Sequence, residues 1–195
     1  MHVLIGIILR SVYWNLMAAE LQLVQIFQDL FLWSPMKAAL HFLPFGITGT
    51  ITATLAGSYG HLIPRRVLLV AGQLLMAVGI VLFALADTED KYWSYIFPGM
   101  IINMVGLALA YVGASVTTMA GAPHGEEGVV GAILYTSFQI GSTIGIAIVS
   151  SITLSVNQKL PMDPMSQHKG YEASFWSILA MHGIMAFISL VFVRD

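Results

Sequence analysis

Residues 95–119 read YIFPGMIINMVGLALAYVGASVTTM, twenty-five positions without one Asp, Glu, Lys or Arg. About 20 apolar residues are enough for a helix to cross the hydrocarbon of a bilayer. Five further stretches of the same kind, 11–32, 38–57, 67–86, 129–154 and 174–193, leave mostly short polar connections between them. The composition agrees, with 57% hydrophobic residues, 9% charged residues and a mean hydropathy of +0.83. A soluble domain carries roughly 25% charged residues. In lipid every backbone amide must find its partner within the chain, so spanning segments are helices or closed barrels. Barrel strands would show ~10-residue segments of alternating polarity, and none occurs. The expectation is an all-α, polytopic bundle of six transmembrane helices, a single unit over 1–195 with no internal domain boundary.

Several function classes fall away at once. Zero cysteines remove disulfides, thiolate metal sites and cysteine nucleophiles. Six scattered histidines show no metal-ligand spacing, so no metal or other cofactor is expected. A net charge of −2 supplies no basic field for nucleic acid. No zinc-protease, phosphate-loop, hydrolase-elbow or dinucleotide motif is present, and an enzyme is not expected. The first nine residues lack a basic region and a small-residue cleavage site, so they do not read as a signal peptide.

Six spans place both termini on one side. Arg10, Arg65, Arg66 and Arg194 then share that side, and Lys37, Lys91, Lys159 and Lys169 lie opposite, a tie under the positive-inside rule. Trp33, Tyr92, Trp93, Tyr171 and Trp176 read as an aromatic belt at the lysine-side interface. Ser34 is placed to cap the second helix, with Pro35 in its first turn. Pro44 should kink that helix. The connection 155–173, with Pro161, Pro164 and Gly170, reads as an irregular loop.

Small residues mark packing faces. Gly99, Gly106 and Gly113 recur every seven residues, with Ala110 and Ala114 on the same stripe. Gly141 and Gly145 form a GxxxG pair, and Gly49, Ala53 and Gly57 recur every four. Such spacing lets helix backbones approach where no hydrophobic force acts between them. Polar residues within the spans carry an insertion cost and single out candidates. At ~100° per residue, Asn15, Gln22 and Asp29 fall within about 40° of one another and Gln25 within about 80°. This stripe faces either an aqueous cavity or a neighbouring helix, and Asn103 on the glycine face of the fourth helix carries the same two readings. Glu20 points about 140° away from Asn15, and is either a functional carboxylate or an interhelical lock. Gln73 and Gln139 read as interhelical hydrogen-bonding groups, and His41 and His182 as structural residues near helix ends.

The connection Gly57-Ser58-Tyr59-Gly60-His61-Leu62-Ile63-Pro64-Arg65-Arg66 resembles the glycine- and arginine-containing cytoplasmic loop after the second helix of a major facilitator superfamily half. Three other pieces resemble the C-terminal half of the fungal fourteen-helix drug:proton antiporters. They are Ser34-Pro35 running to Phe42-Leu43-Pro44, Tyr92-Trp93 followed by Phe97-Pro98-Gly99-Met100, and Glu126 to Ala147 with Gly131, Thr136, Gln139, Gly141 and Gly145. The resemblance covers about 11–195. It implies one six-helix half of a proton-coupled transporter of drugs or toxins, working by alternating access. The first and fourth helices would line the substrate cavity (Asn15, Gln22, Gln25 and Asn103), with Glu20 a candidate for proton coupling. The second and fifth would pack against another half. Both termini would be cytoplasmic, in a plasma or vacuolar membrane. Glu126 and Glu127 would serve the dipole of the fifth helix. The partners implied are lipid, a small-molecule substrate, and a missing N-terminal half or second membrane chain. The chain is accordingly expected to be a fragment or a half that pairs. The competing reading is a non-transporting membrane protein that binds or regulates a membrane partner.

Overall fold

A computed structural model describes residues 2–120 and 122–192, with side chains placed for all of these except 2–13, 164 and 192. Six long helices dominate: α1 (His2–Gln25), α2 (Pro35–Tyr59), α3 (Arg65–Ala84), α4 (Phe97–Met119), α5 (Glu127–Asn157) and α6 (Pro164–Phe192). There is no strand among the described residues. Five segments, Pro35–Leu62, Arg65–Ala84, Glu89–Met119, Glu127–Asn157 and Met165–Val191, are long and apolar enough to cross a membrane. The architecture is the expected all-α membrane bundle.

Helices α1 and α4 run through the middle, α2 flanks α4, and α5 flanks α1. Helices α3 and α6 pack on each other behind them. The tightest seam is α3 on α4. A methyl group added at Gly106 would stand 2.6 Å from the Gly72 carbonyl oxygen and 2.7 Å from the Met76 nitrogen. One added at Gly79 would stand 2.6 Å from Asn103 Cβ, and one at Gly99 would stand 2.8 Å from the Phe83 ring. Gly113 meets Leu68 and Leu69. The α4 stripe therefore lies against α3, which carries its own glycines, Gly72 and Gly79, at the same seven-residue interval. On α5, Gly141 is buried, and Gly145 lets Trp14 of α1 approach to van der Waals contact.

The helix ends follow local chemistry. Ser34 Oγ accepts from the Lys37 amide, with Pro35 at the first position of α2. A π-helical turn, Ile26–Leu30, closes α1. The chain then reverses through Leu32 at φ 51°, while the Trp33 amide reaches back 2.9 Å to the Phe27 carbonyl. Leucine thus occupies the left-handed position that glycine usually takes at such helix ends. Pro44 lies inside α2 and disturbs the bonding of the preceding turn. There the phenol of Tyr92 donates to the His41 carbonyl at 2.8 Å.

Three sequence expectations are corrected. First, the irregular loop over 155–173 shrinks to residues 158–163, because α5 runs to Asn157 and α6 begins at Pro164. Asp163 accepts from the Ser166 amide at 3.0 Å, and proline suits a first helical turn, so the loop-like composition is a helix start. Gly170 is a contact point in α6: a side chain there would strike Asn157 and the Thr153 carbonyl. Second, Trp33, Tyr92 and Tyr171 are not interfacial anchors but buried core residues. Phe27 packs between Trp33, tilted at 4.8 Å, and Phe42, edge-on at 5.3 Å, with Tyr92 also edge-on beside it. Trp93 and Trp176 do stay exposed, in keeping with a belt. Third, His182 is not near a helix end, since α6 continues through Phe192.

The ion pairs and the arginine contact sit at the two ends. Lys37 pairs with Glu89 at 2.6 Å and Lys91 with Asp87 at 2.8 Å, clustering the α2 start with the α3–α4 connection. At the other end, Arg66 in the first turn of α3 donates to the carbonyl of Leu190 in the last described turn of α6. The side chain of Arg10, and Arg194 altogether, lie outside the described residues.

Candidate functional site

The polar stripe of α1 does not line an open surface. Asn15 and Gln22 are fully buried, and so is Asn103. Asn15 Nδ2 donates to Asn103 Oδ1 at 3.1 Å, and Asn103 Nδ2 donates to the Met76 carbonyl at 3.2 Å. His182 Nε2 stands 2.9 Å from Asn15 Oδ1, and its Nδ1 stands 2.6 Å from Gln73 Oε1. Four helices, α1, α3, α4 and α6, thus meet in one chain of polar side chains. Lower on α1, Gln22 Nε2 donates to Thr153 Oγ1 of α5 at 2.9 Å, and that hydroxyl points on to the Gly170 carbonyl of α6. Of the two readings open for these residues, the geometry corresponds to interhelical hydrogen bonding. Buried polar atoms that find no water are held by such partners. Gln25 is half-buried, and Asp29, at the end of the stripe, accepts from the Tyr171 phenol at 3.2 Å.

The open ground lies on another side of α1, about 100° round from Asn15. A cavity of about 190 Å³ opens between α1, α2 and α4, lined by Leu16, Gly49, Ala53, Met104, Leu107, Ala108 and Tyr111. Gly49 leaves room there for Met104, whose methyl would come within 2.7 Å of any added Cβ. The Tyr111 ring also packs at a tilt against Phe138 of α5, with centroids 5.5 Å apart. Glu20 is half-buried and sits four residues beyond Leu16, so both side chains belong to one face of α1. No hydrogen bond or ion pair engages its carboxylate among the described residues, unlike the amides of Asn15 and Gln22.

The glycine–arginine loop forms a one-turn 3-10 helix, Gly60–Leu62, followed by α3. Gly57 is exposed, whereas a side chain at Gly60 would press to 3.0 Å of Val112 on α4. Arg65 and Arg66 are both exposed on the first turn of α3. Glu127 lies in the first turn of α5, where a carboxylate suits the helix dipole. Sequence reasoning missed Gly72 and Gly79, although their seven-residue spacing was visible. It also missed the hydrogen-bonded joining of Gln73 to His182, which no sequence period announces. The apolar cavity wall carries no polar flag and could not have been chosen from the string.

Known proteins fit this arrangement. Residues 3–195 match the family model of the Major Facilitator Superfamily. A low affinity ammonium transporter of Saccharomyces cerevisiae is 25% identical over 160 residues, covering 82% of this chain and 30% of that protein. The multidrug resistance protein Stp of Mycobacterium tuberculosis is 25% identical over 142 residues, covering 73% of this chain and 26% of its own length. The efflux pump terJ of Aspergillus terreus is 20% identical over 125 residues, covering 64% and 24%. The crystal structure of the transporter FucP in its outward conformation superposes with a TM-score of 0.76 at 18% identity, covering all of this chain and 49% of FucP. The chain therefore spans about half of that structure and a third or less of these curated relatives. With a family match over nearly its whole length and the half-bundle geometry to go with it, this multi-pass membrane chain belongs to the Major Facilitator Superfamily, a family of transporters rather than enzymes.

Proposed function

We propose that the chain acts as one half of a proton-driven exporter of small organic molecules, working by alternating access against a second six-helix half. In finer terms, it corresponds to the C-terminal half of a fungal fourteen-helix antiporter, with cytoplasmic termini in a plasma or vacuolar membrane. The observation that carries the reading is the cavity between α1, α2 and α4. At about 190 Å³ it falls below the ~300–1,000 Å³ of sites that enclose drug-sized ligands. An opposing half would supply the remaining wall, as in transporters whose site lies between two repeats. The relatives named for drug resistance and efflux support the substrate class. The flanking helices support the partner: Leu40, Leu43, Ile47, Ile51 and Leu55 of α2 are all exposed and form one apolar face. Ile133, Ile140, Ile144 and Ile148 of α5 are exposed as well.

Within this reading Leu16, Met104, Leu107 and Tyr111 contact substrate. Glu20 carries the coupled proton beside them. Asn15, Gln22 and Asn103 hold the wall in shape. The native absence of cysteine gives a clean background for the test. Ala53→Cys and Leu107→Cys are introduced singly, and labelling by a membrane-impermeant maleimide is followed in cells exporting a fluorescent cation. Labelling that is slowed by the exported dye supports the reading. Labelling that is fast and indifferent to dye, or absent under all conditions, overturns it. Glu20→Gln is expected to remove the pH dependence of export, and an unchanged pH profile rejects Glu20 as the coupling group.

A further inference from the structure

Residues 44–54 of α2 read PFGITGTITAT, a composition that favours helix poorly although the stretch is helical throughout. Thr48, Thr50, Thr52 and Thr54 alternate with Ile47, Gly49, Ile51 and Ala53, a period of two that belongs to strands. Glycine and β-branched residues are weak helix formers, and Pro44 removes one helical hydrogen bond where the stretch begins. The hydroxyls of Thr50 and Thr54 donate back to the Gly46 and Thr50 carbonyls at 2.9 Å and 2.8 Å, a kind of bond that bends helices. Packing does not make up the deficit. Phe45 and Ala56 are buried, and no residue between them is. The inner face carries Gly49 and Ala53, with the cavity behind them. The only atoms of another helix within 4 Å of a side-chain position at Gly49 are the methyl and sulfur of Met104, the end of a flexible thioether.

The two ends of α2 are held instead. At its start Lys37 pairs with Glu89 at 2.6 Å, and the Tyr92 phenol donates to the His41 carbonyl at 2.8 Å. The His41 ring itself lies 4.3 Å from that of Trp33. At its end Ala56 is buried, and a side chain at Gly60 would stand 3.0 Å from Val112 of α4. A helix fixed at both ends and weak between them can bow without leaving the bundle. We propose that residues 46–54 of α2 are the movable wall of the cavity, bowing away from α4 to enlarge it while 35–45 and 56–59 stay in place. Met104 is the closing contact, covering Gly49 when the wall is in and losing it when the wall is out. The cavity measures about 190 Å³ in this position. A larger ligand is then accommodated by α2, and not by parting the α3–α4 seam, where Gly72 and Gly106 bring backbone against backbone. A local sequence rule broken without a packing gain is the mark of a functional segment, and here the break falls on the cavity wall.

The bowing goes beyond the transport reading and is measured without export, so either can fail alone. The chain has no native cysteine, which allows pairs of spin labels to be placed on the full chain in lipid nanodiscs. Ile144→Cys on α5 is the reference, since its neighbour Gly145 lies against Trp14 of α1. It is paired with Leu40→Cys at the held start of α2, and separately with Ile51→Cys in the wall; all three positions are exposed. By double electron–electron resonance the Leu40 pair is expected to give one narrow distance, and the Ile51 pair a broad or two-peaked distribution. Equal widths for the two pairs would overturn the proposal. Thr50→Ala with Thr54→Ala removes the bending bonds and raises helix propensity. Both threonines are exposed and lie outside the cavity lining. In this variant the longer component of the Ile51 pair should be lost while the Leu40 distance stays. A distribution that keeps its breadth would overturn the assignment of the movement to these residues. Met104→Ala should shift the Ile51 pair toward the longer distance, and an unmoved distribution would overturn Met104 as the closing contact.

Discussion

Helix α3 and helix α2 are both long, apolar and proline- or glycine-punctuated, yet they serve the bundle in opposite ways. In its most apolar stretch α3 is 50% buried, whereas α2 is 11% buried. The difference is not decided by mean hydropathy, 2.6 for α3 against 1.3 for the α2 segment, because lipid tails are as apolar as the side chains they meet. It lies in shape and hydrogen bonding. Helix α3 offers Gly72 and Gly79 to the glycines of α4 and sends Gln73 to His182. Helix α2 carries Gly46 and Gly57 with nothing within 4 Å of where a side chain would begin. Two of its four threonines turn inward on their own helix, Thr50 to the Gly46 carbonyl and Thr54 to the Thr50 carbonyl. One helix is committed to its neighbours, and the other keeps a whole face uncommitted.

The largest effect should come from forcing the committed seam apart. Gly106→Leu would drive a branched side chain into the α3 backbone at Gly72 and Met76. Overpacking of this kind costs at least about 1–3 kcal/mol. Here both obstacles are backbone, so loss of the monodisperse, detergent-stable protein is expected by size-exclusion chromatography. The matched change on α2, Gly46→Leu, should leave the elution profile and the melting temperature unchanged. Equal damage from the two would abolish the contrast.

Next in size is the polar chain. Asn103→Leu removes the donor to Met76 and leaves the Asn15 amide without its acceptor. Interhelical hydrogen bonds in bundles of this kind contribute about 0.6–2 kcal/mol, and an orphaned buried amide adds to the loss. A fall in melting temperature is expected for Asn103→Leu and a smaller one for Asn15→Leu. In the double variant the two losses should not add, since they break one bond between them. Full additivity would mean that the two amides act separately.

A third comparison falls on the seam between the regions, where α2 meets the aromatic core. Tyr92→Phe keeps the ring against Phe27 and Trp33 and deletes only the bond to the His41 carbonyl near Pro44. A loss of about 0.5–1.5 kcal/mol follows. Faster amide exchange should appear in α2 and spare α3. Protection lost equally in both helices would show that α2 is held more firmly than its burial suggests.

The sequence made the class and the helix count legible because insertion cost is written in composition, and GxxxG-type spacing is written in position. Gly99, Gly106 and Gly113 could be picked as a stripe for that reason. Their partner could not, because spacing on one helix names no neighbour. The polar stripe of α1 was visible for the same reason, but whether Asn15 looks into a cavity or at Asn103 depends on helix rotation, and a 100° period fixes only relative directions. Tyr92 and Tyr171 misled because an aromatic near a span end has the same local pattern whether it meets lipid or a core. The α6 start was hidden by a proline that reads as a breaker inside a helix and as a starter in its first turn.

That start also supplies the smallest effect. Asp163 is exposed, and the Ser166 amide that bonds it holds its carboxyl below the usual carboxylate range. A carboxyl whose folded value is depressed contributes stability that is complete above its unfolded value, near ~3.9. That contribution fades as pH falls through the lower folded value. Acidification below ~pH 4 is therefore expected to fray the first turn of α6, seen as faster amide exchange at Ser166 and Gln167, while Leu68–Met76 of α3 stay protected. Asp163→Ala should give the same local fraying at neutral pH and remove its pH dependence, with export and melting temperature little altered. If acid instead loosened α3 together with α6, the two halves of the comparison would share one cooperative unit, and the division between a committed and an uncommitted side of the bundle would have to be redrawn.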